Sequence, residues 1–188
     1  MKICKHYVNN KCTLENCKFA HIDNICRDYF FKQCIKENCR FCHDYKFGDT
    51  IDITKCNILD IYSGSGNISY EFASRGAKKI ISVDSNRNCI KFINKIAKDE
   101  SFPISTFQCK AEKFIEKSSE SFAIIFADPP YKYSVNNYKY IIEKVLEKKL
   151  LKENGIIIIE HDKKKDLSAI NSFKEVRNYG GCCFSFFE

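Results

Sequence analysis

Asp128-Pro129-Pro130-Tyr131 directly follows the apolar run Phe122–Ala127, so a carboxylate, two prolines and a phenol stand where a buried strand must end. Exocyclic amines of nucleobases are weak nucleophiles because the nitrogen lone pair is delocalised into the ring. Acceptors aimed at the two N–H groups draw that pair back onto nitrogen. The Asp128 carboxylate and the Pro129 carbonyl are such acceptors, while Pro129 and Pro130 fix φ and add no competing donor, and Tyr131 offers a face for stacking. An Asp-Pro pair after a strand is also an ordinary turn, so the tetrad carries catalytic weight only in company.

The company lies upstream. Asn57–Tyr62 reads as a short buried strand that runs into Ser63-Gly64-Ser65-Gly66, and a helical pattern starts near Ile68. Glycines between a parallel strand and a helix N-terminus let a ligand approach the backbone and meet unpaired N–H groups. Asp60 precedes the loop, and a second strand from Lys79 to Val83 ends in Asp84, 18 residues after Gly66, a distance suited to binding ribose hydroxyls. Asp60, Ser63, Gly64, Gly66 and Asp84 are therefore the expected cofactor-binding residues. Glycine loop, acidic strand end and D-P-P-Y in that order imply an S-adenosylmethionine-dependent enzyme acting on an amine rather than a dehydrogenase.

A second chemistry occupies the N-terminus. Of 12 cysteines, seven fall within the first 43 residues. Cys4, Cys12, Cys17 and His21 read C-x7-C-x4-C-x3-H, and Cys26, Cys34, Cys39 and His43 repeat the same offsets with a period of 22 residues. Three thiolates and one imidazole close a tetrahedral zinc shell, so the repeat predicts two zinc ions whose binding supplies the folding free energy of units too small to bury a core. A disulfide framework gives His21 and His43 no role. Tyr7, Phe19, Tyr29, Phe30 and Phe41 lie beside Lys5, Lys18, Arg27 and Arg40, a mixture suited to stacking unpaired bases and meeting phosphates, although the aromatics also serve as miniature cores.

The elements that position these groups follow from the rest of the chain. Its 188 residues, 44% hydrophobic, suffice for one sizeable core and a small appendage. The longest apolar runs are strand-sized, which predicts a soluble, cytoplasmic protein, and the net charge of +7 favours a polyanionic partner. Lys163-Lys164-Lys165 reads as a solvated loop tip. After a linker over Asp44–Thr50, strands and helices alternate: helical spacing over Cys89–Lys98, a strand over Ser105–Cys109, a helical turn over Lys113–Lys117, a helix over Tyr138–Lys149, a strand at Ile156 and a hairpin around Gly180-Gly181. This alternation predicts an α/β fold, a mostly parallel sheet with helices on both faces and ligands at the strands' carboxyl ends. The expected domains are residues 1–46, tandem zinc fingers, and 51–188, a Rossmann-like methyltransferase.

Residues 1–46 resemble tandem CCCH zinc-finger modules, which implies binding of single-stranded RNA. Residues 56–188 resemble the RsmD-type small-subunit rRNA (guanine-N2) methyltransferases in Asp60–Gly66, Ile68–Gly76, Phe126–Tyr131, Ile158–His161 and the tail Tyr179–Glu188. That resemblance implies a class I methyltransferase fold, S-adenosylmethionine at Asp60–Gly66 and Asp84, and a flipped guanine amine at Asp128–Tyr131, with rRNA as partner. The chain departs from the family at Lys110, where an acidic residue usually reads the cofactor adenine and Glu112 is the nearest substitute. It also lacks the family's N-terminal basic hairpin and Arg-Pro-Thr segment, and the two fingers stand in their place. The competing reading is an RNA-binding regulator with an inactive methyltransferase-like domain.

Overall fold

Short runs of branched aliphatic residues, too apolar on both faces for a half-exposed strand, build the centre of the domain. In a computed structural model, residues 52–179 and 182–188 are described. Within them seven strands form one sheet in the order β3-β2-β1-β4-β5-β7-β6. The first five strands are parallel: β1 (Asn57–Ile61), β2 (Lys79–Asp84), β3 (Ile104–Gln108), β4 (Phe122–Ala127) and β5 (Leu151–Asp162). Two antiparallel strands, β6 (Phe173–Tyr179) and β7 (Cys182–Phe187), complete the sheet. Both central strands, β1 and β4, are buried almost throughout, as a parallel sheet covered by helices requires.

Among the described residues four α-helices cover the sheet: α1 (Asn67–Ser74), α2 (Arg87–Asp99), α3 (Ala111–Lys117) and α4 (Val135–Glu147). Leu59, Ile61, Ile81, Val83, Ile125, Ala127, Ile157 and Ile159 face one side, where Phe114 and Ile115 of α3 and Tyr138, Ile141, Ile142 and Val145 of α4 join them in a single apolar cluster. On the opposite side Asp60 and Ser82, register partners on β1 and β2, both meet Ser69 of α1. Among the described residues no helix is long and apolar enough to cross a membrane.

Among the described residues the predicted strands and helices are present, with shifted bounds where local chemistry intervenes. The helix expected from Tyr138 starts at Val135, because Asn137 Oδ1 accepts from the Ser134 backbone N–H at 2.9 Å and from its hydroxyl at 2.7 Å. The strand expected at Ile156 begins at Leu151. Its register with β4 slips between the pairs Phe122–Leu151 and Ile124–Ile156, leaving Lys152, Glu153 and Asn154 exposed on a bulge that no alternating pattern announces. Lys163 and Lys164 stand exposed in the turn after β5, as expected of a loop tip. The finger ligands Cys4 to His43 and the turn at Gly180-Gly181 lie outside the described residues.

Gly66 shows how tightly the loop is seated. Its φ is +85°, and a Cβ there would lie 2.8 Å from both the Tyr70 hydroxyl and Ile93 Cγ1. At Gly64, φ +52°, a Cβ would meet only the Tyr62 carbonyl at 3.9 Å. Gly66→Ala is therefore expected to lower stability by about 2 kcal/mol, combining backbone strain with overpacking. Gly64→Ala is expected to lose less, and urea denaturation of the two variants checks the order.

Candidate active site

Strand order reverses at β1, which lies between β2 and β4, and the carboxyl ends of β1, β2 and β4 meet at that switch point. The Asp128 N–H donates to the Ile61 carbonyl at 3.4 Å, so the D-P-P-Y turn and the glycine loop leave neighbouring strands at one mouth. Parallel pairing of β1 with β4 thus brings together two motifs more than 60 residues apart (128 − 60 = 68).

The loop is held from below and from the side. Ser63 N–H donates to the Val83 carbonyl at 3.1 Å, and Gly66 N–H closes back on the Ser63 carbonyl at 2.7 Å. Asp84 accepts from Gly64 N–H through Oδ2 at 2.9 Å and from Asn86 N–H through Oδ1 at 2.7 Å. Its carboxylate therefore clamps the loop to the start of α2 and keeps spare lone pairs for a ligand. The Ser63 hydroxyl is buried without a hydrogen-bond partner, as is the Tyr70 hydroxyl. Orphaned hydroxyls of this kind cost about 1–3 kcal/mol each, and a polar ligand lying on the loop relieves Ser63. Ser63, Gly64 and Asp84 thus fit the methionyl and ribose ends of S-adenosylmethionine.

Asp60 sits differently from the other predicted cofactor ligands. It is only 1% exposed and accepts from the Ser69 hydroxyl at 2.5 Å, which in turn lies 2.6 Å from the Ser82 hydroxyl. The carboxyl ties β1, β2 and α1 together beneath the loop. Burial, offset in part by Ser69 and reinforced by Asp128 and Asp84, pushes its pKa up to about 7.

Asp128 stands at the rim, exposed to solvent yet walled by protein, and burial followed by the neighbouring Glu160 pushes its carboxyl up to about 7. No hydrogen bond from the described residues takes up the Pro129 carbonyl, whereas the Pro130 carbonyl accepts from Tyr133 N–H at 2.9 Å. The two acceptors assigned to an amine are therefore open, and the third carbonyl shapes the turn. Tyr131 is 55% exposed, and its hydroxyl points to Glu160 Oε1 at 3.5 Å. Its ring is free to stack.

Tyr62, Tyr133 and Glu160 are the residues that motif reading passed over. Tyr62 leaves β1 with φ +63°, in the left-handed region. Its ring meets that of Tyr133 edge to face at 6.0 Å, and its hydroxyl donates to Glu112 Oε1 at 3.3 Å. It thereby joins the glycine loop to the segment after D-P-P-Y. Strain of this kind at a loop entry accompanies functional sites. Glu112, in the first turn of α3, faces the loop in this way, while Lys110 stands exposed at the N-cap without a side-chain capping bond. Glu160, on β5, carries a pKa raised by burial and opposed by hydrogen bonds from Cys182 and Tyr131.

Known structures share this architecture. A Haemophilus influenzae structure described as "putative methylase HI0767" superposes with a TM-score of 0.65 at 22% identity, covering 72% of this chain and 88% of its own. The domain thus has the Rossmann-like α/β methyltransferase fold. Residues 35–188 match the family described as Conserved hypothetical protein 95, and the chain belongs to that family. Curated relatives named ribosomal RNA small subunit methyltransferase D are 31% identical over 111 residues in Buchnera aphidicola and 28% identical over 127 residues in Haemophilus influenzae. These matches cover 58% and 61% of this chain, and the chain spans 56% and 61% of the relatives' own lengths.

Raised carboxyl pKa values have a definite consequence for stability. Between about pH 4 and 7 the folded chain holds protons on Asp60 and Asp128 that the unfolded chain has released, so stability falls as pH rises through this window. The slope from Asp60 is at most about 1.4 kcal/mol per pH unit. Asp60→Asn is expected to flatten the dependence, whatever its effect on absolute stability, and urea midpoints at pH 5 and pH 7 for both proteins measure it.

Proposed function

We propose that this chain transfers a methyl group from S-adenosylmethionine to the N2 amine of a guanine in small-subunit rRNA, and that its N-terminal CCCH fingers grip the RNA. The observation that carries the reading is the pair of open acceptors, the Asp128 carboxylate and the Pro129 carbonyl, beside a glycine loop with an orphaned hydroxyl. The family of the chain and the names of its rRNA-methylating relatives support the same substrate class.

Bound at Ser63, Gly64 and Asp84, the cofactor supplies an electrophilic methyl on a sulfonium. The chain's own groups then do the rest. Asp128 and Pro129 accept from the two amine hydrogens, holding the lone pair in line with the methyl; ideal alignment contributes up to about 7–11 kcal/mol. As the amine gains positive charge, the Asp128 carboxylate binds the transition state more tightly than the neutral base. The methylated nitrogen is strongly acidic and gives its proton to the Asp128 carboxylate or to solvent, with no stronger base required. Tyr131 stacks on a base drawn out of its helix.

In the fingers, Cys4, Cys12, Cys17 and His21 hold one zinc ion, and Cys26, Cys34, Cys39 and His43 a second, in a cytoplasm that keeps the thiols reduced. The family match begins at residue 35, inside the second unit.

Incubation with labelled cofactor and total RNA is expected to yield N2-methylguanosine, and Asp128→Ala to abolish it while calorimetric cofactor affinity stays within a few-fold. N6-methyladenosine as the product, or transfer retained in the variant, refutes the assignment. Because only ionised Asp128 attracts the developing cation, kcat/KM is expected to rise about tenfold per pH unit below its pKa of about 7 and level off above it.

Chelation is expected to weaken binding of single-stranded RNA by about tenfold or more, since each stacked base contributes about 1–3 kcal/mol, and to leave cofactor affinity unchanged. Equal RNA affinity with and without chelator removes the fingers from the reading.

A further inference from the structure

β4 and β5 are parallel neighbours whose last register pair is Ala127 with Ile159. One step further along that register, Asp128 and Glu160 leave adjacent strands side by side, about 4.8 Å apart and on the same face. Side chains on this face form a continuous row: Phe126 lies against Phe184 with ring centroids 6.3 Å apart, and Phe184 is the register partner of Glu160 on β7. Tyr131 and Cys182 each sense the charge of both carboxylates, so all four groups share one mouth.

Among the described residues neither Asp128 nor Glu160 forms an ion pair with Lys or Arg, in a chain whose net charge is +7. The Tyr131 hydroxyl and the Cys182 thiol donate to Glu160, which favours its ionised form and leaves it further lone pairs. Two adjacent, partly desolvated carboxylates are unfavourable for folding alone and are suited to a ligand that presents two adjacent donors.

We propose that Glu160 is a specificity-determining residue that accepts the N1–H of guanine while Asp128 and Pro129 hold its N2 amine. The proposal rests on the amine-methylating reading of the mouth and adds the group that selects the purine. Guanine presents N1–H and N2–H2 side by side, matching two acceptors. Adenine presents an acceptor, N1, beside its N6 amine, so its lone pair would face a carboxylate with no hydrogen between them. Sites built to pair a buried polar group reject the analogue that leaves it unpaired far better than they reject a change in size.

The test uses the full zinc-loaded chain, S-adenosylhomocysteine and a short uridine strand holding one guanosine, compared by fluorescence anisotropy with the same strand holding 2-aminopurine or 1-methylguanosine. 2-Aminopurine keeps the 2-amine but turns N1 into an acceptor, and 1-methylguanosine lacks the N1 proton. The strands differ at one base, so the fingers contribute equally to each. The unmodified protein is expected to prefer guanosine over both by about tenfold or more. Glu160→Gln, whose amide can donate to an acceptor N1, is expected to bring the guanosine to 2-aminopurine ratio near one, whereas Tyr131→Phe, which only removes a donor from Glu160, keeps the ratio. If Glu160→Gln weakens all strands alike, or the unmodified protein does not discriminate, the proposal is overturned and Glu160 merely braces Tyr131. Discrimination retained in a protein that transfers no methyl to total RNA supports Glu160's role and overturns only the transfer reading.

Discussion

Parallel pairing of β1 with β4 is the constraint from which the site follows, because it forces the residues that leave those two strands into the same few ångströms. The bond from the Asp128 N–H to the Ile61 carbonyl extends that pairing one residue beyond the strands. Through it, the D-P-P-Y turn starts at the level where Tyr62 bends the chain into the glycine loop. Neither motif has a partner within its own segment. The partnership comes from the sheet, whose order reverses at this position, the place where an open α/β sheet takes its ligand.

Negative charge is concentrated at this edge in a protein that is basic as a whole. Asp60 lies under the loop, Asp84 beside it, and Asp128 with Glu160 across the mouth. Asp60 and Asp128 have pKa values near 7, and Glu160 is raised as well. Burial is the leading cause in all three. The fold tolerates these carboxyls because other interactions hold them in place: Ser69 and Ser82 around Asp60, backbone N–H groups around Asp84, Tyr131 and Cys182 around Glu160. A cationic sulfonium and a base edge rich in donors are the ligands that such a field favours.

Much of this was legible in the linear chain. Apolar runs of five or six residues ending in Asp60-Ile61, Asp84 and Ala127-Asp128 have the length and composition of buried parallel strands, and each is one. Helix α2 was visible in the spacing of Ile90, Ile93 and Ala97, all three buried. Other features escaped because their cause is not local. The bulge at residues 152–154 is dictated by pairing with β4. Asp60 is expected to bind the cofactor, and its bond to Ser69 adds a bracing role that depends on how α1 packs across β1 and β2.

What the sequence determined by itself was chemistry and order: which strands are buried, where the glycine loop and the D-P-P-Y turn fall, and the cysteine and histidine repeat of residues 4–43. These depend on residue type and short-range spacing, which a linear chain displays in full. Only the tertiary structure decided which acceptors are open and which are occupied, since Pro129 and Pro130 are alike in sequence and differ only in the turn that engages one carbonyl. Glu160 became a member of the site in the same way. It lies 32 residues from Asp128 along the chain (160 − 128), and strand register, a property of two segments together, sets them side by side.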